Sequence, residues 1–138
     1  MKTAYTNHLH NKAEFENVIK WKADIAQIDA EIRFTKQLLS SYMFEPRTEI
    51  LFKKSLKFQR KLREITTDLE EIKGNIKKYE QASNPFFLSE KTYVYNAPTG
   101  QFSTLKSRFL NIYSAFYKLK EEVLTYMRGV LNQNYKTV

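Results

Sequence analysis

Leu51, Phe58, Ile65, Ile72 and Tyr79 recur every seven residues, and Ser55, Leu62, Leu69 and Ile76 form a second row of the same period. Two such rows, offset by four and then three, are the a/d seam of a coiled-coil helix. Ser55 is its one polar entry. A seam of this kind must be buried against other helices, so it organises the rest of the chain.

The same period appears on either side. Upstream, Val18, Ile25, Ile32 and Leu39 form one row and Trp21, Ile28, Thr35 and Tyr42 the other, with Phe15 and Met43 widening the stripe at its ends. On this seam Trp21 reads as a core or bundle-edge anchor in preference to a ligand platform. Downstream, Phe102, Phe109, Phe116, Val123 and Val130 pair with Leu105, Ile112, Leu119 and Tyr126. A third row, Leu110, Tyr117, Leu124 and Leu131, is added there, with Tyr113 and Met127 between rows. A helix this apolar touches two partners.

These rows predict three long helices, over 12–43, 46–82 and 103–133. Pro46 is expected to open the second helix, since proline is tolerated at a first helical position. Asn11 is the expected cap of the first helix and Ser103 or Thr104 that of the third. Residues 1–11 read as a polar arm, and the tail from 134 as frayed. The short link between the first two helices makes them antiparallel neighbours. The expected fold is all-α: an antiparallel up-down bundle of three heptad-patterned helices, left-handed in its supercoil, forming a single domain over 12–133.

Between the second and third helices the pattern stops. Ser83-Asn84-Pro85 ends one helix, and Pro98-Thr99-Gly100 is a turn signal. The 83–102 insertion carries Phe86, Phe87, Leu88, Tyr93, Val94 and Tyr95, and Thr92-Tyr93-Val94-Tyr95 is rich in β-formers. Two readings stand: a plug on the bundle's open end with one short extended piece, or an exposed aromatic contact surface on Phe86, Phe87, Tyr93 and Tyr95.

The chain of 138 residues carries a net charge of +8 and is 42% hydrophobic, so it is expected to fold, with partners of negative charge permitted. The charge is unevenly placed, and the start of the second helix is its most basic stretch. Over residues 47–63, Arg47, Lys53, Lys54, Lys57, Arg60, Lys61 and Arg63 stand against Glu49 alone, and Glu64, Asp68, Glu70 and Glu71 follow without a base up to residue 71. Lys53, Lys54, Lys57, Arg60 and Lys61 share one outward face. Such a row can follow a phosphate backbone or be a solvated face. Attachment to an anionic membrane surface is a weaker expectation, because that face lacks large apolar anchors.

The sequence offers no catalytic arrangement. Cysteine is absent, which excludes disulfides and thiol catalysis. His8 and His10 are the two histidines, without a third ligand at metal spacing. No glycine-rich phosphate loop occurs, and Glu64, Asp68 and Glu71, which share a face, are expected to meet Lys or Arg of a neighbouring helix. The expectation is a non-enzymatic protein without metal or cofactor. It is a helical scaffold or protein-interaction module, self-associating as a dimer through Leu110, Tyr117, Leu124 and Leu131 or binding another helical protein. The alternative is a sequence-independent nucleic-acid-binding module using the basic face. No apolar run suits a transmembrane helix or a signal peptide, so the cytoplasm is the expected compartment.

Overall fold

The computed structural model describes the backbone of residues 2–83 and 100–136 and the side chains of 12–82 and 100–135. Within them the chain is helical: α1 (Lys2–Leu39), a 3-10 turn (Tyr42–Phe44), α2 (Glu49–Ser83) and α3 (Gln101–Lys136). The three helices pack as a bundle around one hydrophobic core. The insertion expected at 83–102, with its short extended piece, lies almost wholly outside the described residues. So do Phe86, Phe87, Tyr93 and Tyr95.

Each helix buries one stripe. On α1 it holds Val18, Trp21, Ile25, Ile28, Ile32 and Leu39, and on α2 Leu51, Ser55, Phe58, Leu62, Ile65, Leu69, Ile72, Ile76 and Tyr79. On α3 it holds Leu105, Phe109, Phe116, Leu119, Val123, Tyr126, Met127 and Val130. Burial of this apolar surface drives the assembly at roughly 25 cal/mol per Å². Ser55 is accommodated by polar neighbours. It accepts a hydrogen bond from Gln59 Nε2 at 3.1 Å, and Tyr126, one helix away, donates its hydroxyl to the Leu51 carbonyl at 3.3 Å. Burial pushes the Tyr126 hydroxyl above the ordinary tyrosine range, and a hydrogen bond with Ser55 pulls the other way.

The helix ends depart from the pattern. α1 starts at Lys2, so the polar stretch before residue 12 is helical and Asn11 is not a cap. α1 ends at Leu39 rather than 43. Ser41 closes the last turn, its Oγ donating to the Leu38 carbonyl at 2.7 Å. The 3-10 turn that follows swings Tyr42 outward to 77% exposure, off the seam it was assigned to, exposes Met43 and turns Phe44 in.

Pro46 does not open α2. It lies in the connection, after an extended Glu45, the conformation that a following proline favours. The cap is Thr48, whose Oγ1 accepts the Leu51 N–H at 3.2 Å. α3 likewise begins before Ser103 and Thr104: Gly100, at φ 111°, accepts the Thr104 N–H at 2.9 Å. That positive φ favours glycine. At the other end α3 runs to Lys136, past the expected limit at 133, and Asn134 is buried. Asn134 Nδ2 donates to the carbonyls of Met43 (3.4 Å) and Glu45 (3.2 Å), tying the end of α3 to the α1–α2 connection.

Polar contacts at the rims of the core join the helices in pairs. Between α1 and α2, Lys22 meets Glu80 at 3.1 Å and Lys73 meets Asp29. Tyr79 donates to Glu14 at 2.7 Å. Between α2 and α3, Arg108 meets Glu71 at 2.9 Å and Lys61 meets Glu122 at 3.9 Å. Pairs this exposed contribute ~0–1 kcal/mol each and act more on register than on stability.

Candidate interaction surfaces

The surplus row of α3 is divided by the fold. Leu110 (50% exposed) and Leu124 (42%) stand in solvent, as does Tyr113, whereas Tyr117 and Leu131 are half-buried and pack on the edge of the core. Tyr117 is held from several sides. Its ring lies 5.1 Å from that of Phe116 and 4.6 Å from that of Tyr113, with Lys120 Nζ 5.6 Å over its face. Its hydroxyl donates to Glu31 of α1 at 3.5 Å, and Lys120 binds the same carboxylate at 2.8 Å. Burial first, then the negative charge of Glu31, raises the Tyr117 hydroxyl above its usual range. The row is therefore a firm surface: two exposed leucines flank a fixed aromatic ring.

The basic face of α2 is also divided. Lys53 pairs with Glu49 at 3.2 Å, Arg60 with Glu64 at 3.9 Å and Lys61 with Glu122. Lys54 and Lys57 are exposed and form no ion pair among the described residues. Both border a groove of ≈ 610 Å³ between α2 and α3, floored by Leu51, Phe58 and Tyr126 and rimmed by Lys118, Glu121 and Glu122. The face is thus less free than its composition suggests, and its open charge is at Lys54 and Lys57.

Of the acidic residues sharing a face, Glu71 meets Arg108 of α3, and Glu64 pairs within its own helix. Among the described residues no cluster of His, Asp or Glu has the makings of a metal site, and no helix is long and apolar enough to cross a membrane. Trp21 is buried in the core, stacked between Phe102 and Phe109.

Sequence reasoning passed over several exposed apolar side chains. Phe34 on α1 and Ile50, Phe52 and Leu56 at the start of α2 are all about half exposed or more. Phe52 and Leu56, four apart, share a side of α2. The signal was present, as large apolar residues off the seam rows, but a search that follows the rows does not collect them.

No family model, no curated protein and no solved structure matches this chain.

Proposed function

We propose that this chain is a non-enzymatic helical scaffold, an antiparallel up-down bundle of heptad-patterned helices, which works by associating with itself through α3. The antiparallel reading is supported by contacts whose numbers run in opposite senses: Lys22–Glu80 and Asp29–Lys73, then Phe58–Tyr126 and Glu71–Arg108. The heptad reading is supported by the buried stripes. The observation that carries the function is the exposure of Leu110 and Leu124 on either side of the fixed Tyr117. An apolar stripe of this length on a firm helix is the kind of patch that marks association, and a second copy is the commonest partner for such a face.

Replacing Leu110 and Leu124 together by Glu tests this. By sedimentation equilibrium the native chain should have about twice the mass of one chain, 16.4 kDa, and the double variant the mass of one. Far-UV helicity should stay the same. A native protein of single-chain mass, or a double variant that still associates, overturns the proposal.

Lys54 and Lys57 favour a second reading, a nucleic-acid-binding module, because they are the cations of the basic face that form no ion pair among the described residues. Anisotropy with a generic duplex at about 50 and about 200 mM salt separates the cases, since phosphate contacts weaken steeply with salt. On this reading Lys54→Glu with Lys57→Glu weakens binding for every sequence. Absent or salt-insensitive binding removes it.

A further inference from the structure

Along α3, Tyr117, Glu121, Leu124, Arg128 and Leu131 step by four, three, four and three, so they lie in one stripe. Glu121 and Arg128 are exposed, bracket Leu124, and form no ion pair among the described residues. Two unpaired opposite charges placed almost symmetrically about an exposed leucine constitute a self-complementary pattern.

We propose that two copies pair antiparallel along this stripe, with the two-fold axis at Leu124. This rests on the self-association proposed above and specifies its geometry. Leu124 then packs on its own counterpart. Glu121 of each copy meets Arg128 of the other, and Tyr117 of each meets Leu131 of the other. One step further out, Ser114 faces Tyr135, so two hydroxyls come together. A parallel pairing would instead set Glu121 on Glu121 and Arg128 on Arg128, with like charges repelling at both layers. Both pairings are isologous two-fold arrangements, so the charges decide between them. Phe34, 61% exposed on α1, stands one turn beyond the Glu31 that binds Lys120. It therefore borders the stripe near the axis and widens the apolar contact.

The test is a charge swap read by sedimentation equilibrium at low salt. Glu121→Arg alone and Arg128→Glu alone each turn both ion pairs into like-charge pairs, and should raise the dissociation constant roughly tenfold or more. The variant carrying both substitutions should dimerise as tightly as the native chain. So should an equimolar mixture of the two single variants. Single variants that dimerise as well as the native chain overturn the antiparallel geometry. So does a mixture that is tighter than the native dimer, which is the signature of parallel pairing. A native chain that is monomeric overturns self-association itself.

Discussion

Phe116→Ala is expected to destabilise the bundle by roughly 3–5 kcal/mol, the range for deleting a fully buried aromatic ring. Phe116 is 1% exposed and is among the largest wholly buried side chains. It lies at the middle of α3, its ring edge-on to Tyr117, so alanine leaves a void that three packed helices cannot easily close. Domains of this size are stable by about 5–15 kcal/mol, so the loss is a large share of the total. The midpoint of thermal unfolding should fall by roughly 10–15 °C. Far-UV circular dichroism in a urea titration measures it. A loss below about 1 kcal/mol would mean that the centre of the core is not packed as described.

The same experiment separates core from surface. Leu124→Ala removes a comparable apolar group from an exposed position, so in a lone chain it should shift stability by roughly 0.5 kcal/mol or less. If two copies pair through Leu124, the native chain gains stability with concentration by mass action, and this variant gains less. Phe116→Ala should instead cost stability at every concentration. A Leu124→Ala penalty independent of concentration would argue against a dimer through that stripe.

The all-helical class and the buried rows were legible because a helix of this length must repeat its apolar positions. The helix ends were not, because single residues decide them. Pro46 is compatible with a first helical turn and equally with the connection before one, and the decision fell to Thr48, whose hydroxyl accepts from Leu51. Tyr42 keeps its place in the row on paper. The chain, however, has already left α1 at Leu39, and its tighter 3-10 turn rotates the ring into solvent. The tail from 134 reads as frayed because chain ends usually are. What holds it is a pair of carbonyls in a connection roughly ninety positions earlier, and no local pattern reports that.

The candidate site shows the same division. That α3 has one apolar row too many for a narrow seam can be counted from sequence. Which members of the row stay exposed depends on Glu31, 86 positions before Tyr117, and on the Lys120 that shares its carboxylate. The basic face was legible as charge and not as free charge. Lys53, Arg60 and Lys61 find acids one turn away or on α3, and only the packing sets Lys54 and Lys57 apart.

Trp21→Ala should be the other costly substitution, again by roughly 3–5 kcal/mol for the ring, with stacked aromatic pairs adding about 0.5–1.5 kcal/mol each. The indole is 6% exposed and lies between two rings of α3, its centroid 5.2 Å from Phe102 and 5.5 Å from Phe109, with planes 21° and 24° apart. Tyr79 of α2 approaches Phe102 at 6.3 Å, so one aromatic cluster joins all three helices. Removing Trp21 therefore loosens more than a single pair of helices. Trp21→Phe keeps a stacking ring and should cost distinctly less, and the difference between the two variants isolates stacking from volume. As the chain has one tryptophan, its fluorescence reports this cluster alone. In the native protein the emission should be blue-shifted and should move red in the same urea transition that abolishes helicity, as a single cooperative core requires. A fluorescence transition well ahead of the helical one would mean that this end of the bundle opens by itself. The Phe116 and Trp21 variants would then report two separate stabilities instead of one.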